Sequence, residues 1–158
     1  ILISHVLEFL DGEKCVFDLF SGIGTFALSL AEKGAAVEAW DVDEAAVHAL
    51  VAAANRSAGR LKITASVRDL ERRPLELVNY SAATAVVLDP PRAGAKAQCQ
   101  SLVAADLNKI AYVSCNPITF ARDARGLVNG GYRLVSVTPV NQFAWSTHVE
   151  LIGFFERP

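Results

Sequence analysis

Along this chain short β-branched or apolar runs alternate with alanine- and leucine-rich stretches of helical length, a rhythm that few folds can satisfy. Residues 15–20, 36–41, 61–67, 83–89, 109–114, 132–140 and 148–156 read as strands. Residues 3–10, 25–33, 44–58, 96–106 and 117–128 read as helices. The first five strands alternate with helices and are expected to be parallel, because a parallel partner needs a long crossover connection. Only residues 141–147 separate the last two, too few for a crossover helix, so the final strand is expected to return antiparallel. The expected architecture is α/β: a mostly parallel, doubly wound sheet with one antiparallel strand near its edge. Its ligand crevice should lie at the carboxyl ends of the parallel strands.

At 158 residues, 52% hydrophobic and 20% charged, the chain should form one domain with a real core, not a disordered or low-complexity segment. Its 15 Lys+Arg against 17 Asp+Glu give a formal charge of −2 and a pI near 5.9. Global charge therefore does not advertise polyanion binding, and any nucleic acid must be handled locally or with help. Cys15, Cys99 and Cys115 are an odd number without a C-x-x-C pair, which excludes a disulfide framework and gives no cysteine spacing for zinc or an iron–sulfur cluster. A reducing, cytoplasmic setting is expected, and no metal. No apolar run is long enough to span a bilayer, and Glu8, Asp11 and Glu13 make residues 1–14 unlike a signal peptide. The chain opens at Ile1 and contains no methionine, so it reads as a piece of a longer polypeptide whose N-terminal part is absent.

Residues 15–27, CVFDLFSGIGTFA, are a strand running into a glycine turn and then a helix. Gly22 and Gly24 open positive φ and let a ligand approach the backbone, while the helix start presents unpaired N–H groups. The spacing fits the dinucleotide fingerprint G-x-G-x-x-A, with Asp41 ending the second strand where a ribose-binding acid belongs. Asp18, at the end of the first strand, would repel a pyrophosphate and attract an ammonium or sulfonium. That favours S-adenosylmethionine over a dinucleotide, with glycines that merely turn the chain as the bland alternative. Asp69, just after the third strand, suits the adenine amino group, although Asp is common in turns for its own sake.

In VVLDPPR, residues 86–92, Pro90 pushes Asp89 toward extended geometry and the turn should hold it at the crevice rim. In AYVSCNP, residues 111–117, Asn116 can cap a helix whose first position is Pro117. Cys115 then lies where a strand meets the positive end of a helix, a place where a thiolate is stabilised and faces the crevice. Cys15, within an apolar strand, reads as core packing, and Cys99, on a helix with no supporting acid or base pattern, as packing or surface. Glu150, early in the antiparallel strand, should reach the same rim as Asp89 and Cys115 and could act as a general base. His148 shares its face and reads as structural.

The succession DLFSGIGTFALSLA (18–31), LDPPRAG (88–94), YVSCNPITFARD (112–123) and FAWSTHVE (143–150) resembles the RNA 5-methyluridine methyltransferases over nearly the whole chain. The resemblance implies a Rossmann-like class I adenosylmethionine-dependent methyltransferase fold in one catalytic domain, residues 1–158. It implies Cys115 as nucleophile on uracil carbon 6 and Glu150 as the base at carbon 5, in an enzyme methylating uridine in ribosomal or transfer RNA. The expected cofactor residues are Asp18, Phe20, Gly22, Gly24, Asp41, Asp69 and Asp89; the expected substrate residues are Asp89, Arg92 and Asn116. The family's last motif usually carries an acid, a proline and a threonine where this chain has Asn141, Ala144 and Ser146. Its cofactor-contacting glutamine and N-terminal RNA-binding domain are also missing, so most RNA contacts are expected outside this chain, and this piece alone should bind RNA poorly. Arg92, Lys96, Arg122 and Arg125 are the scattered cations that remain to meet phosphates.

Three other functions compete. A base amino-group methyltransferase needs an aromatic after its Pro-Pro turn, where this chain has Arg92, and has no use for Cys115. A nicotinamide dehydrogenase is opposed by Asp18. A non-catalytic cofactor- or RNA-binding module remains open, since residues alone do not prove turnover.

Overall fold

The computed structural model describes residues 1–105, 107–140 and 150–158. In chain order the elements are α1 (Leu2–Phe9), β1 (Cys15–Leu19), α2 (Thr25–Glu32), β2 (Ala36–Asp41), α3 (Glu44–Arg56), β3 (Ile63–Val67), a 3₁₀ segment (Leu77–Ala82), β4 (Ala85–Leu88), α4 (Lys96–Ala104), β5 (Lys109–Ser114), α5 (Pro117–Asn129), β6 (Arg133–Val140) and β7 (Glu150–Glu156). The strands form one seven-stranded sheet in the order β3-β2-β1-β4-β5-β7-β6. β1 to β5 pair in parallel, whereas β7 runs antiparallel to both β5 and β6. The antiparallel last strand is thus as expected. It slots between β5 and β6, leaving β6 as the edge.

Alternate residues of β1 and its neighbours feed two separate cores. Phe17, Leu19, Val86, Leu88, Ile110 and Tyr112 pack with Leu102 of α4 and Leu127 of α5. Val16, Val37, Val87 and Val113 pack with Val6 of α1, Leu30 of α2 and Leu50 of α3. β4 is buried along its whole length, which is why it reads as an unbroken apolar run.

Helix starts follow local chemistry. The Asp43 carboxylate accepts from the N–H groups of Ala45 and Ala46 at the start of α3. Pro117 occupies the first turn of α5 behind an Asn116 cap. Several ends are shorter than the sequence suggests: β1 stops at Leu19 because Phe20 turns to φ 64°, and β4 stops at Leu88 ahead of Asp89 and the two prolines. The 3₁₀ segment has no counterpart in the sequence reading. It is started by a capping box between Glu76 and Asn79, a signal too short to register as hydrophobic periodicity. The readings at Asp106 and residues 141–149, His148 among them, lie outside the described residues. Among the described residues no helix is long and apolar enough to cross a membrane.

Candidate functional site

β1 sits where the strand order reverses, with β2 on one side and β4 on the other, so the crevice opens above its carboxyl end. There Phe20, Gly22 and Gly24 all take positive φ, at 64°, 53° and 92°. Gly24 leaves no room for a side chain unless Leu50 shifts: a Cβ would lie 2.4 Å from Cδ1 of Leu50, which is wholly buried. The Ser21 N–H donates to the Trp40 carbonyl at 3.0 Å, and the Gly22 N–H donates to Oδ2 of Asp41 at 2.8 Å. Oδ1 of Asp41 accepts from the Asp43 N–H at 2.8 Å. Asp41 therefore ties the glycine turn to the start of α3 while remaining partly exposed.

Asp18 lies beneath the turn, 0% exposed. Its Oδ2 accepts from the Ala27 N–H at 2.9 Å, so a β1 carboxylate caps α2, which has no side-chain cap of its own. Among the described residues its Oδ1 has no hydrogen-bond partner. Burial pushes this carboxyl up to about 7; the Ala27 hydrogen bond opposes that, and the Asp89 and Asp41 charges add to it. The capping task was not evident in the sequence.

Phe20, Asp41, Val42, Arg68, Asp69, Leu70, Glu71, Asp89 and Pro91 line a crevice of about 390 Å³, in which Arg68, the one cation among these residues, donates from Nε and Nη2 to the Arg73 and Pro74 carbonyls. Oδ1 of Asp69 accepts from the N–H groups of Glu71 at 3.1 Å and Arg72 at 3.0 Å, so this acid turns its own loop as well as forming the wall. Apolar surface at Phe20, Val42 and Leu70, bounded by Asp41 at one side and Asp89 at the other, fits an adenosine carrying a positively charged group. The orphaned oxygen of Asp18 beneath the turn points to the same sign of charge.

A second cavity, about 340 Å³, is lined by Asp89, Cys115, Glu150, Val113, Thr25, Phe26 and residues 1–3. It brings together the three chemistry-bearing rim residues expected from the sequence, and Asp89 belongs to both hollows. Asp89 keeps solvent on its surface, but the surrounding walls strip enough water to push its carboxyl up to about 6, with the Glu150 charge adding to the effect. Cys115 is half-buried. The other two thiols sit elsewhere, Cys15 in β1 and Cys99 buried in α4, and burial pushes both up.

Asn116 is engaged at both ends of its amide. Oδ1 accepts from the Ile118 N–H at 3.0 Å, and Nδ2 donates to the Arg92 carbonyl at 3.0 Å. That same carbonyl accepts from the Thr119 hydroxyl at 3.1 Å, lacing the Pro-Pro loop to α5. The structure thus uses Asn116 to position Cys115 and Arg92 relative to each other.

One cluster escaped sequence reasoning. Asp123, wholly buried, accepts from the Ala95 N–H at 2.7 Å, the Tyr112 hydroxyl at 2.8 Å and Nε of Arg122 at 2.8 Å. The clue lay in helical spacing: Phe120, Asp123, Ala124 and Leu127 are the buried residues of α5, so an acid falls on its apolar stripe. Among the described residues no group of three or more His, Cys, Asp or Glu side chains could hold a metal ion.

The profile of the tRNA (Uracil-5-)-methyltransferase family matches residues 2–157. An uncharacterised RNA methyltransferase of Rhizobium meliloti is 49% identical over 152 residues, covering 96% of this chain and 36% of the relative. The 23S rRNA (uracil(1939)-C(5))-methyltransferase RlmD of Halomonas elongata is 39% identical over 145 residues, covering 90% of this chain and 30% of the relative. The crystal structure of a Pyrococcus abyssi tRNA (uracil-54, C5)-methyltransferase in complex with S-adenosyl-L-homocysteine superposes with a TM-score of 0.82 at 33% identity, covering 98% of this chain and 37% of the other. The chain therefore spans about a third of the length of the relatives it matches.

Proposed function

Because the chain belongs to the tRNA (uracil-5-)-methyltransferase family, with the class I adenosylmethionine-dependent fold, we propose that it is the catalytic domain of an enzyme that methylates carbon 5 of a uridine in ribosomal or transfer RNA through a covalent cysteine adduct. The observation that carries this reading is the convergence of Cys115, Glu150 and Asp89 on one cavity whose Asp89 wall is shared with the acid-bounded crevice.

Carbon 5 of a uracil is a poor nucleophile until the ring is saturated, and the residues present can change that. Cys115, next to the amino end of α5, attacks carbon 6 as a thiolate, forming a carbon–sulfur bond and moving the electron pair of the carbon 5–carbon 6 double bond onto carbon 5 and the carbonyl oxygen on carbon 4. Asp41, Asp69, Phe20 and the turn at Gly22 and Gly24 would hold S-adenosylmethionine, with Asp18 beneath and Asp89 at the boundary. That cofactor supplies an electrophilic methyl group to carbon 5. Glu150 then takes the carbon 5 proton, the electron pair restores the double bond, and the Cys115 thiolate leaves. Asp89 lines both hollows, so one carboxylate can face the positive charge of the cofactor on one side and the uracil on the other. The target uridine must be unstacked to enter, so a loop or locally opened RNA is the substrate.

Because the chain spans about a third of its relatives' length, most RNA contacts are read as lying outside it, with Arg92 among those it makes itself. Three free thiols suit a reducing cytoplasm. The test is hydrogen release: uridine RNA tritiated at carbon 5 should lose tritium to solvent only with S-adenosylmethionine and only while Cys115 is intact. Methyl transfer without tritium loss would instead indicate an amino-group acceptor.

A further inference from the structure

The segment that carries Cys115 also carries Arg122 and Asp123, which have no part in the chemistry above. Arg122 is unusually fixed for an exposed cation. Its Nε donates to the buried Asp123 carboxylate at 2.8 Å and its Nη2 donates to the Ala93 carbonyl at 2.9 Å. With those two contacts made, the Nη1 hydrogens and one on Nη2 have no acceptor among the described residues, and 42% of the side chain is exposed. Asp123 cannot swing away, because Ala95 and Tyr112 hold its other oxygen. Gly94 is shaped by the same grip: at φ +78°, a Cβ there would lie 2.6 Å from both Nη2 of Arg122 and Oδ2 of Asp123. An arginine held in this way has already given up the rotamer freedom that anion binding normally costs.

Arg122 lines a crevice of about 440 Å³ together with Lys96, Phe20 and Leu70. Among the described residues that line it, Glu71 is the one carboxylate, and Lys96 is exposed on the first turn of α4. Phe20, Leu70 and Glu71 are also walls of the cofactor crevice, so the two hollows adjoin. An anion bound between Lys96 and Arg122 would therefore lie beside the cofactor crevice, on the helix that follows Cys115, within the surface open to an RNA strand whose uridine is turned into the Cys115 cavity.

We propose that Arg122 and Lys96 form a phosphate-binding ledge for the RNA strand flanking the target nucleotide. The proposal rests on the uridine-methylating reading, and its test separates the two. Oligouridylate binding by the full-length protein is measured over a series of salt concentrations for the wild type, Lys96→Gln, Arg122→Gln, the Lys96→Gln/Arg122→Gln double variant and the control Lys62→Gln, which lies at the amino end of β3 away from the crevice. Each lost phosphate contact should flatten the slope of log affinity against log salt by roughly 0.7, and the double variant should lose about twice that. The control should leave the slope alone. In turnover, Lys96→Gln should raise the KM for RNA several-fold with kcat unchanged. Because Arg122→Gln leaves Asp123 partly unpaired and could unfold the chain, Lys96→Gln carries the decision. An unchanged salt slope and RNA KM in folded Lys96→Gln overturns the ledge whether or not methyl is transferred. A flattened slope in a protein that transfers no methyl to uridine keeps the ledge and removes the methylation reading. No RNA binding by the wild type removes both.

Discussion

Gly24→Ala tests the geometry of the ligand turn at a single atom. Position 24 has φ 92°, and a Cβ there would stand 2.4 Å from Cδ1, 3.1 Å from Cδ2 and 3.2 Å from Cγ of Leu50. Leu50 is 0% exposed in the core between α2, α3 and the sheet, so its methyl groups can yield only by repacking that core. The left-handed backbone costs an alanine about 1–2 kcal/mol, and forcing a methyl into a packed core adds about 1–3 kcal/mol. The sum, roughly 2–5 kcal/mol, is a large part of the 5–15 kcal/mol by which domains are stable. For a domain of this size it corresponds to a drop in Tm of roughly 5–15 °C. Gly22 supplies the internal control: its φ is +53°, yet nothing lies within 4 Å of the added Cβ, so Gly22→Ala bears only the backbone cost. Urea unfolding followed by circular dichroism on both variants, with Leu50→Ala and the Gly24→Ala/Leu50→Ala pair, isolates the clash as a coupling energy of about 1–3 kcal/mol. Equal destabilisation by the two glycine substitutions, with no coupling to Leu50, would refute the packing argument.

Other outcomes follow from the same structure. Asp18 has a folded-state carboxyl raised from 3.8 to about 7, so between those values the folded state holds a proton that the unfolded chain has lost, and stability through this group falls as pH rises across that window and levels off above it. Unfolding titrations of wild type and Asp18→Asn should therefore diverge between pH 5 and pH 7.5, with the variant gaining relative stability at the higher pH; parallel profiles would contradict the assignment. Asp123→Ala should cost about 2–4 kcal/mol in denaturant titrations, because it strands the Tyr112 hydroxyl and the Ala95 N–H and frees Arg122, while a loss below about 0.5 kcal/mol would show the network to be dispensable. Glu150→Gln, unable to take the carbon 5 proton, should accumulate a denaturant-stable complex with ordinary uridine RNA in the presence of S-adenosylmethionine, visible as a slow band on a denaturing gel; normal turnover would remove Glu150 from the role of base.

Much of this architecture is legible in the chain because its signals are local. Buried parallel strands such as β4 are unbroken apolar runs, and Asn116-Pro117 and Asp43 announce helix starts in their own side chains. The short connection before β7 marks the antiparallel return, but its place between β5 and β6 depends on which strand edges remain open, which no local pattern records. The rim residues Asp89, Cys115 and Glu150 were traceable because each stands at the end of a strand whose direction could be inferred. Long-range tasks were not. That Asp18 caps α2 and that Asp123 gathers Ala95, Tyr112 and Arg122 are facts about residues brought together from separate segments. Only the placement of an acid on the buried stripe of α5 hinted at the second.

The central claim is that Cys115 becomes bonded to the uracil ring during methyl transfer. RNA carrying 5-fluorouridine, incubated with the full-length protein and S-adenosylmethionine, tests it directly, since fluorine at carbon 5 cannot be removed as a proton and the reaction should stop with the thiol attached. The account predicts a denaturant-stable protein–RNA adduct that peptide mass spectrometry locates at Cys115 and that is lost in Cys115→Ala. Absence of an adduct with an RNA the protein demonstrably binds, or an adduct at Cys15 or Cys99, would contradict it.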